Sequence, residues 1–375
     1  RRTLSIRDKL MEINWGIVLL IAVIADIGFA MLYSVAGGSL MPWAGPQMLR
    51  FVFGFVLMIV VAVTDIRIWM SLAYPAYGAS LVLLVAVELF GHAGLGAQRW
   101  LSLGPLDIQP SEFMKISLVL ALARYLHSVS VEDISKPLKL AVPLLMIGLP
   151  AVLVAIQPNL GTTLILIMDG CALLFLAGLS WWWIGPTAGI IAAAIPVAWE
   201  YVLHDYQKAR VRTFLDPETD ALGAGWNITQ AKIAIGSGGA TGKGFLQGTQ
   251  SRLNFLPEKQ TDFIITNFAE EFGFVGCVAL FLLFAVVIGY GVKIAMSARS
   301  QFSRLLAMGV TLNFFFYIMI NAAMVMGLIP VVGIPMPLIS YGGTALISVM
   351  FGFGLLMSVH VHRQVDIPRH SAGLI

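Results

Sequence analysis

Ten apolar stretches, each long enough to cross the hydrocarbon of a bilayer, restrict this chain more than any motif it carries. A span of about 30 Å takes about 20 mostly apolar residues in a helix. Such stretches lie near 14–36, 45–64, 69–91, 111–127, 138–157, 160–179, 181–203, 268–294, 303–329 and 338–360. In lipid every backbone N–H and C=O must find a partner inside the protein, which leaves helices as the form for runs of this length. A soluble domain is about 25% charged, whereas this chain is 11% charged and 58% apolar, with mean hydropathy +0.87. The expectation is an all-α polytopic membrane protein with about ten transmembrane helices. The first run follows the basic stretch RRTLSIRDK and lacks a small-residue cleavage site, so it reads as a retained helix and not a signal peptide.

Positive charge in short loops stays on the cytoplasmic side. With the N-terminus inside, Arg1, Arg2, Arg7, Lys9, Arg67, Arg124, Lys136, Lys139, Lys293, Arg299, Arg304, Arg363 and Arg369 all fall on that side. The short outer loops near 37–44, 157–160 and 330–337 carry no Lys or Arg. Both termini are then cytoplasmic, residues 1–363 form one transmembrane domain, and 364–375 form a cytoplasmic tail. Residues 204–267 become one long extracytoplasmic loop. Its Lys208, Arg210, Arg212, Lys232, Lys243, Arg252 and Lys259 do not overturn the topology, because long loops translocate largely regardless of charge.

The segment GSGGATGKGFLQGTQSRLNFLPEKQTDFIITNFAEEFG, residues 236–273, gathers ionisable groups in a chain that otherwise avoids them. The loop's basic residues read either as a solvated set balanced by Asp205, Asp216, Glu218, Asp220, Glu258 and Asp262, or as a site for an anionic ligand such as a phosphate. The glycines permit tight turns but fit neither a P-loop nor a dinucleotide fingerprint, and no nucleic-acid partner is expected. Cys171 and Cys277 fall in different apolar runs, where packing is the ordinary role of cysteine. His360 and His362 sit on different helix faces, so no metal site is expected. Asp26 and Asp169 are intramembrane carboxylates, fit either for a proton path or for internal hydrogen bonding. The run Trp181 to Trp183 reads as an interfacial belt.

Four stretches carry a resemblance: RWLSLGPLDIQPSEFMK (99–115), QPNLGTT (157–163), GSGGATGKGFLQGTQSRLNFLPEKQTDF (236–263) and NAAMVMGLIPVVGIPMPLISYGGTA (321–345). Together they resemble the SEDS family (shape, elongation, division and sporulation proteins), over essentially the whole ten-helix region. GKGFLQGTQSRLNFLPEK looks like the elongation-type version; division-type members usually have an Asn-Ser-x-Gln-Lys stretch there and Ala in place of Lys259. The resemblance implies the SEDS fold and a glycosyltransferase that polymerises lipid II outside the cytoplasmic membrane. It also implies a class B penicillin-binding protein as transpeptidase partner, other elongation-complex membrane proteins, and undecaprenyl diphosphate as the released carrier.

That reaction needs a base for a sugar hydroxyl and cations for a departing diphosphate. Asp262 matches the carboxylate of the family motif Leu-Pro-Glu-Lys-x-Thr-Asp and is the expected catalytic base; an aspartate before a helix is otherwise often an N-cap. An unperturbed aspartate, of pKa about 3.9, is a weak base, so the role calls for desolvation or concerted proton transfer. Glu258 and Lys259 flank it, and Arg210, Lys243 and Lys115 are expected at the diphosphates. Glu112 and Lys115 share a helix face about a turn inside the boundary, where ionisable groups are costly, so they are site candidates unless they only snorkel. Trp100 is placed to stack on a sugar or to anchor at the interface, and Gln157 and Asn159 lie at a helix break that can face a polar cavity. Family members generally have Asp at the position of Asn159 and often His at that of Gln260, so this chain lacks those two titratable groups. No cofactor motif is visible, though a divalent cation such as Mg2+ would suit a diphosphate. Ten helices with intramembrane carboxylates also fit a transporter, including a lipid II flippase, and a division-type polymerase is a further alternative; the placement of ionisable groups at the outer end favours chemistry at that surface.

Overall fold

The computed structural model describes residues 5–94, 97–103, 106–183, 205–216, 224–249 and 258–368, with isolated positions between 185 and 200. Its helices in chain order are α1 (Ile6–Glu12), α2 (Trp15–Val35), α3 (Ala44–Val63), α4 (Ile66–Phe90), α5 (Pro110–Ser128), α6 (Val131–Ile134), α7 (Pro137–Ile156) and α8 (Leu160–Leu176). They continue with α9 (Asp205–Leu215), α10 (Ala224–Gly238), α11 (Ile264–Ser297), α12 (Gln301–Val325) and α13 (Gly343–Val361). Seven of these (α2, α3, α4, α7, α11, α12 and α13) are long and apolar enough to cross a membrane, and α8 is a shorter apolar helix. With α5, which carries Glu112 and Lys115 in its first two turns, they match nine of the ten expected runs. The tenth, 181–203, lies largely outside the described residues. The chain is a multi-pass membrane protein.

The helical fold is as expected, and two details add to it. A small antiparallel sheet lies between α4 and α5, formed by β1 (His92–Gly94), β2 (Ala97–Leu103) and β3 (Leu106–Ile108), in the order β1-β2-β3. The stretches Leu101-Ser102-Leu103 and Leu106-Asp107-Ile108 alternate apolar and polar residues, the pattern of half-buried strands. The last apolar run also begins later than expected: α13 starts at Gly343 and not near 338, because residues 330–342 form an irregular loop holding Pro330, Pro335 and Pro337, which helices do not carry in series.

Polarity inside the bundle follows one helix. On α12, Asn313, Tyr317 and Asn321 are four residues apart and so share a face. Asn313 Nδ2 donates to Asp169 of α8 at 2.5 Å, Tyr317 meets Glu112 and Lys115 of α5, and Asn321 reaches the turn before α11. All three are buried, so each hydrogen bond replaces water that the interior excludes.

The loops gather at two ends. At one end the α4–α5 sheet, the α7–α8 break, the turn before α11 and the α12–α13 loop meet: Arg99 donates to the carbonyls of Gln157 and Pro158, and Thr344 Oγ1 accepts from Gln109 N at 3.4 Å. At the other end, Arg363 pairs with Glu12 at 2.8 Å and Lys9 donates to the Val63 carbonyl at 2.9 Å.

Candidate active site

The turn 258–263 is built by its own side chains and then clamped from outside. Glu258 accepts from Thr261 Oγ1 at 2.9 Å and from Gln260 Nε2 at 3.4 Å, which folds its carboxylate over the turn. Tyr341 N donates to the Gln260 carbonyl at 2.9 Å, and Ser340 Oγ donates to that of Thr261 at 2.6 Å. Asn321 Nδ2 donates to the Asp262 carbonyl at 2.9 Å and to the Ile334 carbonyl at 2.6 Å. Three consecutive carbonyls of the turn are thus fixed by residues of the stretch 321–345. Asp262 is half-buried, and α11 takes Phe263 as its N-cap without a side-chain bond, so Asp262 does not serve as the cap. A Cβ on Gly333, whose φ is +70°, would stand 3.3 Å from Asp262 Oδ2, so a residue without a side chain keeps space beside the carboxylate.

Around this turn, α3 contributes polar groups that the sequence reading passed over. Gln47 is buried and bridges the loop, donating to the Ser340 carbonyl at 3.0 Å and accepting from Gly342 N at 3.3 Å. Arg50, one turn further on, stacks its guanidinium over the Tyr341 ring at 4.7 Å. Lys259 lies over the Trp43 ring at 5.9 Å, and burial lowers its pKa from the usual lysine value. Gln47, Arg50 and Asn321 had a readable signal: they are polar residues inside runs otherwise fit for lipid.

The other expected residues divide. Glu112 and Lys115 pair at 2.7 Å, and Tyr317 donates to Glu112 at 2.5 Å while also meeting Lys115 Nζ, which lies 4.1 Å from its ring centroid. Lys115 is 1% exposed, so its charge is matched inside the bundle and is not displayed at the mouth. Lys243 likewise pairs with Glu270 at 2.7 Å, and Glu270 also accepts from Thr249 N at 2.9 Å and Thr249 Oγ1 at 2.7 Å. Both lysines were expected at a diphosphate, and both are engaged by carboxylates. Gln157 is buried and donates to the Leu84 carbonyl at 2.8 Å; Asn159 caps α8 through Thr162 N at 3.4 Å. The α7–α8 break still belongs to the site's surroundings, because a Cβ on Gly161 would meet Ile334 at 2.5 Å. Trp100 is half-buried on β2, and the side chain of Arg210, on α9, lies outside the described residues. Among the described residues, no three His, Cys, Asp or Glu side chains group to hold a metal ion.

The glycine-rich stretch has a structural reason. Gly273 interrupts α11 with φ +65° and ψ −165°, which releases backbone groups on both sides of the break. Residues 239–244 take them up: Lys243 N and Gly244 N each donate at 3.0 Å, to Glu270 and Glu271, while Phe274 N and Val275 N donate to Gly239 and Ala240 at 2.9 and 3.0 Å. A Cβ on Gly242 would lie 2.1 Å from the Glu271 carbonyl oxygen, so this approach requires glycine. Glu271 is anchored to Ser34 of α2.

The sequence that builds this bundle matches a family of cell cycle proteins. The chain belongs to the FtsW/RodA/SpoVE family, which matches residues 11–365. It is 48% identical over 314 residues to the peptidoglycan glycosyltransferase MrdB of Escherichia coli K12, covering 83% of this chain and 84% of that protein. It is 33% identical over 365 residues to a probable peptidoglycan glycosyltransferase FtsW of Trichlorobacter lovleyi, covering 94% of each. Among solved structures, it resembles the rod shape determining protein RodA of Thermus thermophilus with TM-score 0.71 and 29% identity, over 94% of this chain and 98% of that one. A chain of a peptidoglycan synthase complex that coordinates polymerization and crosslinking matches with TM-score 0.83 and 32% identity, over 94% of this chain and 99% of that one.

Proposed function

We propose that Asp262 is the base in the glycosyl transfer that this chain carries out as an elongation-type peptidoglycan glycosyltransferase. The carboxylate takes the proton of an acceptor GlcNAc 4-hydroxyl as its oxygen attacks the anomeric carbon of the donor MurNAc in lipid II. The carbon–oxygen bond to the diphosphate breaks, its electron pair leaves with undecaprenyl diphosphate, and the anomeric centre inverts. The observation that carries this reading is the clamp on three successive carbonyls, Gln260 to Asp262, which orients one half-buried carboxylate at the mouth of the bundle. Preorganisation of this kind is what general-base catalysis by a weak base demands. The greater identity to MrdB than to the FtsW relative supports elongation over division.

The Asp262 end faces outward in the cytoplasmic membrane and both termini lie inside, since Lys9, Arg67, Arg124, Arg299, Arg304 and Arg363 belong to the opposite end. Residues 1–363 act as one domain, with 364–375 as its cytoplasmic tail. Trp100, Glu258 and Lys259 border the substrate at the mouth, with Gln157 supporting them and Glu112 holding the helix that leads there. A class B penicillin-binding protein crosslinks the glycan, by likeness to the synthase complex above. The test is glycan synthesis from purified lipid II, with the partner supplied, by wild type and Asp262→Asn. Folded Asp262→Asn protein that makes no glycan is the expected result; normal polymerisation by it would remove Asp262 from catalysis.

A further inference from the structure

We infer that Arg50 is the cation that receives the diphosphate of the lipid-linked sugar, an assignment that rests on the glycosyl-transfer reading above. The lysines whose spacing suited that role, Lys115 and Lys243, each have a carboxylate at 2.7 Å. Arg50 differs. Among the described residues no carboxylate pairs with it, and its Nη1 is shielded from solvent with no acceptor. A shielded guanidinium N–H without an acceptor is costly, and an anion is the partner that satisfies it best, because phosphate oxygens match the planar fork of arginine.

Its position is tied to the base. The guanidinium lies over Tyr341, whose own N–H holds the Gln260 carbonyl, two residues from Asp262. It also lies against the start of α13: a Cβ on Gly343 would be 3.3 Å from Arg50 Nε and 3.5 Å from Cζ, so glycine leaves the guanidinium its space. The N-cap of α13, Gly342, offers no side-chain acceptor, so the first-turn N–H groups next to the guanidinium have no side-chain cap. Arg50 thus lies beside the start of α13 and close to the Asp262 turn, a setting suited to a doubly charged phosphate ester and not to a neutral sugar.

The test compares binding of undecaprenyl diphosphate and undecaprenol to the full-length protein in nanodiscs. Wild type is expected to prefer the diphosphate, and Arg50→Gln to lose about ten- to hundredfold of that preference, the worth of one charge-assisted pair, with undecaprenol binding unchanged. Because the preference is a ratio within one sample, partial misfolding does not mimic the loss. Arg50→Lys is expected to keep part of the preference, and Gly343→Ala, which crowds the guanidinium without removing charge, to lower it several-fold. An unchanged ratio in Arg50→Gln and Gly343→Ala overturns the assignment, even in a protein that polymerises lipid II. Loss of the ratio in a protein whose wild type makes no glycan supports the anion site and sinks the reaction instead.

Discussion

Removing the amide of Asn321 separates the positioning of Asp262 from its chemistry. Asn321 is fully buried, and its Nδ2 donates to the carbonyls of Asp262 at 2.9 Å and Ile334 at 2.6 Å. In Asn321→Ala, two hydrogen bonds worth about 0.5–1.5 kcal/mol each disappear, and each buried carbonyl left without a donor costs about 1–3 kcal/mol. The carbonyl cost already contains the lost bonds, so the change destabilises the loop by about 2–6 kcal/mol, with the lower figure applying if water occupies the vacated space between the two carbonyls. The bonds fix the backbone next to the base, so a shift of about 1 Å is expected to lower kcat about a hundredfold while KM for lipid II changes little. Gel-resolved glycan synthesis over a lipid II titration reads the rate, and thermal unfolding reads the stability. Asn313→Ala is the control, since Asn313 lies on the same face of α12 but bonds to Asp169, away from the turn. A wild-type kcat in Asn321→Ala, or an equal loss in both variants, would refute the positioning role.

Lys243→Ala is expected to lower Tm, because Glu270, fully buried, loses its cation; the cost falls below the roughly 3–5 kcal/mol of a fully buried pair since Lys243 is 30% exposed. KM for lipid II should hold, and a raised KM at unchanged Tm would return Lys243 to the diphosphate. Asn159→Asp places a carboxylate at the cap of α8, near the carbonyls that Arg99 holds, and is expected to raise the polymerisation rate or its dependence on magnesium. Aspartate caps a helix as well as asparagine, so Tm should change little; wild-type rates across a magnesium titration would leave position 159 as a cap and nothing more.

The spans were legible because hydropathy is a local property: Trp15–Val35 and Gln301–Val325 follow from composition alone. The fate of individual charges was not, because it depends on partners far along the chain. Nothing in the neighbourhood of Lys243 points to Glu270, which a helix break at Gly273 turns toward it. Lys115 could be matched to Glu112 by spacing, but its other partner, Tyr317, comes from a helix 202 residues away. Asp262 was legible as a motif residue, whereas the clamp that orients it belongs to the irregular loop 330–342 and to α12. The hairpin was missed because an expectation built on spans has no place for short strands between them.

The break at Gly273 has a mechanical consequence. Residues on both sides of the break, Glu270 and Glu271 before it and Phe274 and Val275 after it, are fastened to the loop 239–244, while the rest of α11 runs on to Ser297 at the other end of the bundle. A tilt of that long segment to suit bilayer thickness, or to yield to a neighbouring helix, is therefore taken up by the loop bonds on both sides of Gly273 before it reaches the carboxylate. The reacting end is thereby referenced to the protein's own loops and insulated from the lipid through which the rest of the molecule moves.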